Sequence, residues 1–416
     1  MLFRTLLRLS PAVWLSPLLI CLGVLFAIDL GPAVLDPYPL QVTAVGAAAL
    51  FMVAPLCAAC AAWEAGRWRR AGWLTLPHVR APLARAVTVL APTLLVGVIV
   101  CGLALGVMMG RAGIVLLPDL RVLAMACVGL LAYTLLGFAI GVHVPPVIAT
   151  PTIFLGILLW MGLPRTTEPG WLRHLTGVWP LCCRINADLA PQALVGAMLV
   201  ACGVLAAAVA LLLTPGRIVR WLGAAAPLLA GLAVGSVLVR DLGVYPDVGR
   251  DPALLVCSQT QPRVCVWPEQ QPRLDEVTAL LTGAAQRWRD LGVAVPDTVG
   301  EAPYQDSSAV RSFGFSMTAS PAIILNALAY SLLPPFPSCG GDAPYLGFEA
   351  ESWVLAWLVL QAGATPEQVA GMYPPETLPI VAQVRAGSAA QQAAWYAHNR
   401  HALGACGVAP QAALQP

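Results

Sequence analysis

The chain has 416 residues, 58% of them hydrophobic and only 11% charged, with a mean hydropathy of +0.76. A soluble domain carries about 25% charged residues, so this composition cannot solvate a globular surface over its whole length, and lipid must cover much of it. The small net charge of +2 hides two bodies of opposite sign: residues 1–240 are net +9 and residues 241–416 net −7, with arginine as the only strong base.

Apolar runs of the length a bilayer demands, about 17–25 residues, occur near 12–29, 40–62, 88–109, 121–142, 146–163, 191–213 and 221–239. The first could alternatively be a signal peptide, with Arg4 and Arg8 as its basic end. No small-x-small site follows it, the next residues being Asp29, Leu30 and Gly31. Arginine in short loops sets orientation. With the N-terminus inside, the inner pieces hold Arg4, Arg8, Arg67, Arg69, Arg70, Arg80, Arg85, Arg217 and Arg220, against Arg111, Arg121, Arg165, Arg173 and Arg184 outside. Seven crossings then leave everything after Arg240 outside. The seventh run is rich in Gly and Ala, with Trp221 and Arg240 at its ends.

Asp29 and Glu64 lie at the ends of the first two runs, where they read as interface residues, and no other acid falls within a span. A proton-coupled transporter needs a titratable group at membrane depth, so this distribution argues against one. Residues 62–87 are expected to form an inner loop in which Trp63, Trp68 and Trp73 alternate with Arg67, Arg69 and Arg70 beside Glu64. Two readings fit: an interfacial anchor on anionic lipid, or a docking element for a cytoplasmic partner. The outer segment 164–190 is too long for a simple turn. Its Trp171, Leu172, Leu175, Val178, Trp179 and Leu181 suit a short helix dipping into the outer leaflet.

A basic amphipathic loop between spans two and three and amphipathic outer elements between spans five and six resemble the ABC-2 type permease family over residues 1–213. The resemblance implies a six-span transmembrane domain whose second-span loop (Trp63, Glu64, Arg67, Trp68, Arg69, Arg70) docks on a separate ATPase. It also implies outer re-entrant helices, here around Trp171 and Trp179, that close the path. The chain has no GxxxxGK[ST] phosphate loop, so ATP would be bound by a cytoplasmic ATP-binding subunit and this chain would hold no cofactor and not itself be an enzyme. The partners implied are that subunit, a second copy or a sister permease, and the bilayer, with no nucleic acid. The span at 214–240 departs from the six-helix pattern and leads into an added domain, 241–416. Within it, Val264-Cys265-Val266-Trp267-Pro268-Glu269 and the helix that follows resemble the extracytoplasmic domain of actinobacterial permease-like membrane proteins.

That domain is expected to be α+β. Short runs at 253–257 and 263–267 read as strands about a polar turn. Residues 273–292 place Leu274, Val277, Leu280, Leu281, Ala284, Trp288 and Leu291 on one helical face. A strand is expected near 309–317, and helices near 321–333, 349–363, 365–372 and 388–403, the third opened by the capping box Thr365-Pro-Glu-Gln368. Of twelve cysteines, eight lie in or near spans, Cys182 and Cys183 among them, and read as small apolar residues. The four in the domain point to two disulfides in an oxidising compartment. Cys257 and Cys265 flank the hairpin, which leaves Cys339 for Cys406. A four-cysteine zinc site is the rival, but no CxxC element occurs. His398 and His401 share a helix face with no acidic third ligand nearby, and neither HExxH nor GxSxG is present, so no metal and no catalytic residue is expected. A binding or gating role suits the domain better than hydrolysis.

Overall fold

The computed structural model describes residues 7–8, 10–30, 36–72, 82–113, 117–180, 182–300, 313–340 and 344–414. The chain divides into two compact units, Met1–Val248 and Gly249–Pro416.

The first unit is a helical bundle. Its described helices are α1 (Pro11–Leu30), α2 (Pro39–Ala47), α3 (Leu50–Arg70), α4 (Pro82–Ala112), α5 (Leu120–His143), α6 (Pro146–Gly162), α7 (Pro191–Leu213) and α8 (Arg217–Val239). A turn at Ala48–Ala49 joins α2 to α3, and the two count as one apolar stretch, Pro39–Arg70. Seven helical stretches are thus long and apolar enough to cross a membrane. Proline opens α2, α6 and α7, where its missing N–H costs nothing. Asp119 opens α5, its carboxylate accepting from the Arg121 and Val122 N–H groups.

The stretch Pro39–Arg70 is the middle of the bundle: 78% of its apolar window is buried, against 17% for Pro11–Leu30 and 22% for Arg217–Val239. Side-chain size explains this. Lipid gives apolar helices no hydrophobic reason to associate, so close packing has to come from small residues. Ala54, Ala58, Ala61, Ala62 and Ala65 line the inward face of α3 and are all fully buried. Opposite them on α5, a methyl group at Gly137 or Gly141 would overlap the backbone of Ala58 or Ala62. The helices α7 and α8 meet in the same way. A Cβ at Gly203 would lie 2.7 Å from the Pro227 carbonyl oxygen, and one at Gly231 2.6 Å from that of Leu199. The Gly/Ala richness of the seventh run is therefore the means by which it seats on the sixth.

Loop ends collect alternately at two poles, as successive crossings require. At one, the His143 imidazole bonds the Leu211 carbonyl at 2.9 Å, and Arg220 reaches both His143 (3.1 Å) and the Thr214 carbonyl (3.0 Å). Gly66 on α3 abuts Pro146 there. At the other pole, the Tyr38 hydroxyl donates to the Ala187 carbonyl (3.0 Å), and the Asp119 N–H to Thr43 Oγ1 (2.8 Å). Arg121 there joins Asp119 and Asp188 at 2.8 and 2.9 Å.

The inner loop expected over 62–87 is not a loop at its start: α3 stays helical through Arg70 and α4 begins at Pro82. The intervening residues 73–81 lie outside those described. At about 1.5 Å per residue, the 21-residue α3 is about 32 Å long, close to the thickness of a hydrocarbon core of about 30 Å. Hydropathy fades where the Trp and Arg residues begin, while the helix continues. The outer segment carries a short helix of the 3₁₀ type, Gly170–Thr176, ended by Gly177 at φ +69° and preceded by a 3₁₀ turn at Leu163–Arg165; its described residues include no α-helix. Cys182 and Cys183, read as free, are bonded to each other.

The second unit is α+β. Val256–Cys257 pairs antiparallel with Arg263–Val266, which pairs in parallel with Thr298–Gly300. Helices α9 (Leu274–Asp290), α10 (Pro321–Ser331), α11 (Phe348–Gln361), α12 (Pro366–Val369), α13 (Thr377–Arg385) and α14 (Ala389–Gly404) make up the rest. The core centres on α11, buried without a break from Trp353 to Leu360. Trp288 of α9 donates its indole N–H to the Leu358 carbonyl (2.9 Å), Trp357 to Gln392 Oε1 (3.1 Å) and Trp395 to the Gln411 carbonyl (2.7 Å). Each of these three rings is thus buried with its polar atom satisfied. Disulfides join Cys257 to Cys265, directly opposite one another in the antiparallel pair, and Cys339 to Cys406.

Here too some expectations need correcting. Residues 252–254 form a 3₁₀ turn in place of a strand. Of the strand expected at 309–317, residues 309–312 lie outside those described and 313–316 join no sheet. Phe313 and Phe315 do point inward, but the Phe315 carbonyl accepts from the Gln270 side chain (2.8 Å) and not from a neighbouring strand. The helix α13 and the strand Thr298–Gly300 were not foreseen. Pro379 sits in the first turn of α13, where no helical hydrogen bond is lost.

Candidate functional sites at the two poles of the helical unit

At the pole formed by the C-terminal turns of α3, the residues singled out as a docking element occupy consecutive helical turns. Trp63, Arg67 and Arg70 follow at i, i+4 and i+7 and so share one stripe. Trp63 is 40% exposed, with the Arg70 guanidinium 6.0 Å from its ring centre. Glu64 faces the other way. It is buried, and its carboxylate accepts from Trp68 Nε1 at 3.0 Å and from Arg67 at 3.4 Å. A buried carboxylate needs such partners to stay in place, so Glu64 and Trp68 hold the helix end while Arg67 and Arg70 remain at the surface. Arg69 is half-buried and lies within electrostatic range of His143. The six residues are therefore brought together, but in two roles: an internal clamp and an outward basic-aromatic stripe.

The opposite pole carries a cavity of about 220 Å³ lined by Arg165, Arg173, His174, Trp179, Cys182 and the segment Val244–Pro246. The two 3₁₀ turns supply its cations. The Arg165 Nη2 group donates to the Val178 carbonyl (3.2 Å), with its guanidinium 5.2 Å above the Phe51 ring, and Arg173 Nε donates to the Gly170 carbonyl (2.9 Å). His174 is fully buried, and one of its ring nitrogens lies 2.8 Å from the Gly243 carbonyl oxygen. A carbonyl can only accept, so Nε2 carries the proton and Nδ1 is left as the lone-pair nitrogen. Burial, reinforced by the Arg173 charge and opposed by the Gly243 bond, holds the His174 pKa below the usual histidine value. Of the two tryptophans expected to mark this segment, Trp179 is 4% exposed in the cavity wall. Trp171 packs half-buried beside the cluster of Leu175, Val200 and Val239. The cavity itself was not anticipated. The available signal was two arginines and a histidine within ten residues of the outer segment.

In the second unit, Arg250 forms a bidentate pair with Glu269 (3.0 Å for both bonds) and stacks 4.6 Å over Trp267. His398 spends Nε2 on the Ala409 carbonyl (3.0 Å). Among the described residues, no three His, Cys, Asp or Glu side chains converge as a metal site.

These features define a class: a polytopic helical protein with seven membrane-length apolar helices, joined to a disulfide-bonded α+β unit. Within that unit, residues 264–406 match a family model described as a domain of unknown function (DUF7224), to which this part of the chain is similar. No curated protein and no solved structure matches the chain.

Proposed function

We propose that the chain is the permease subunit of an ABC-2-like exporter, pairing with itself or with a sister permease and driven by an ATPase on a separate polypeptide. The observation that carries this reading is the helical extension of α3, which presents Trp63, Arg67 and Arg70 on one stripe while Glu64 and Trp68 brace it from inside. A basic stripe on a helix end braced from inside by Glu64 and Trp68 suits a protein partner better than a lipid anchor does. The absence of a phosphate loop from the sequence is in keeping with ATP being bound elsewhere. The arginine bias supports a cytoplasmic location for this pole, and the two disulfides of Gly249–Pro416 suit an oxidising, extracytoplasmic compartment. In this reading the second unit binds cargo or gates the outer end of the path.

The test is purification of the tagged full chain in mild detergent, with stoichiometric analysis of what accompanies it. An ATP-binding chain in fixed proportion, lost on neutralising Arg67, Arg69 and Arg70 together, supports the reading. An intact, folded preparation without such a chain refutes it. That result would favour a membrane-anchored outer binding or assembly protein, a reading motivated by the independent core and disulfides of the second unit.

A further inference from the structure

Two guanidiniums, those of Arg165 and Arg173, share one cavity wall in the first unit, and among the described residues neither has a carboxylate partner. Both are held by backbone carbonyls, which fix their position without cancelling their charge. Partly buried like charges are costly unless something neutralises them. Two fully or nearly fully buried polar side chains of the same wall also lack partners: the Trp179 indole N–H and His174 Nδ1. Buried groups of this kind are normally satisfied, and here the unsatisfied pair faces the same cavity as the unneutralised cations. The inventory is two forked cationic donors, one neutral donor and one acceptor. A phosphate group that keeps one hydroxyl, or carries one nearby, matches it. Its anionic oxygens suit guanidinium forks, while its O–H can donate to His174 Nδ1.

The surroundings point the same way. The cavity lies where α6 ends and where the chain leaves α8, at the depth of lipid headgroups for helices of this length. Trp160 and Leu232 pack against the cluster of Leu175, Val200 and Val239, the first of which follows His174 in the chain, and also line an apolar crevice of about 370 Å³ between α5, α6, α7 and α8. That crevice has the apolar lining an acyl chain requires.

We infer that Arg165, Arg173, His174 and Trp179 form a binding site for a phosphate oxyanion, presented either by a phospholipid headgroup or as the free ion. This site is independent of the docking stripe at the other pole, and its occupation does not depend on the chain's being an exporter.

The experiment uses the full chain. In one arm, native mass spectrometry of protein extracted in mild detergent looks for a retained phospholipid, and nanodiscs of phosphatidylglycerol are compared with phosphatidylcholine for thermal stabilisation. In the other, delipidated protein is titrated with inorganic phosphate, with chloride as the control. Arg165→Gln combined with Arg173→Gln should weaken the responding arm about tenfold or more, the loss of two charge-assisted contacts. Arg165→Lys with Arg173→Lys, which keeps the charge, should retain part of the response and shows that the fold survives. A lipid response without a phosphate response identifies the headgroup as the source, and the reverse identifies the free ion. No response in either arm, or an unchanged response in the double Gln variant, overturns the site.

Discussion

The seating of α8 on α7 gives a direct test of how the bundle is held together. At Gly231, an added methyl would stand 2.6 Å from the Leu199 carbonyl oxygen, where ordinary contact begins near 3.4 Å, so the helices would have to part by about 0.8 Å. Overpacking of this kind costs roughly 1–3 kcal/mol, and the intrinsic helical preference for alanine returns about 0.5–1 kcal/mol. Gly231→Ala should therefore destabilise the full chain by a net of up to about 2.5 kcal/mol. Gly156 on α6 has no atom within 4 Å of the position a Cβ would take, so Gly156→Ala should be neutral or stabilising by up to about 1 kcal/mol. Gly203 faces Gly231 across the same contact, each Cβ position lying 3.5 Å from the other's Cα. One separation of the helices relieves both clashes, and the double variant should cost less than the sum of the singles. Reversible unfolding in mixed micelles, followed by tryptophan fluorescence, measures all four. Equal effects at Gly156 and Gly231, or strict additivity in the double variant, would refute close backbone contact as the basis of the seating.

Other measurements bear on separate parts of the molecule. The Cys339–Cys406 bond spans 67 residues and Cys257–Cys265 spans 8, so loop-closure entropy makes them worth about 4 and about 2.5 kcal/mol. Replacing each pair by serine should lower resistance of the second unit to proteolysis in that order, and a larger loss from the short loop would contradict it. Thiol labelling of denatured, unreduced protein should reach Cys21, Cys57, Cys60, Cys101, Cys127 and Cys202 and spare Cys257, Cys265, Cys339 and Cys406; label on Cys257 or Cys265 would refute the hairpin bond. His174 is held neutral in the fold, with its pKa below the ordinary value of about 6.5. The unfolded chain therefore takes up this proton first as pH falls. Stability should be unaffected above that ordinary pKa and decline below it, and His174→Gln should flatten this acid limb. An unchanged limb in His174→Gln would place the acid sensitivity elsewhere.

Much of this architecture was written in one dimension. Seven apolar runs are a property of composition over about 20 residues, and hydrocarbon thickness alone converts them into helices. The hairpin disulfide was legible because Cys257 and Cys265 bracket a turn, and the start of α12 because Thr365 and Gln368 satisfy each other's backbone groups at fixed spacing. The tertiary structure decided what depends on distance in space. That Pro39–Arg70 is central, and Pro11–Leu30 peripheral, follows from which small residues meet, and glycine looks the same in sequence whether it faces a carbonyl or lipid. The division of the α3 terminus into a clamp of buried Glu64 with half-buried Trp68 and an outward arginine stripe depends on which side of that helix the bundle covers. The cavity joins residues 165–182 to residues 244–246, more than sixty positions apart. Sequence could list its arginines and its histidine, but only the folded chain could set them around one space with no acid between them.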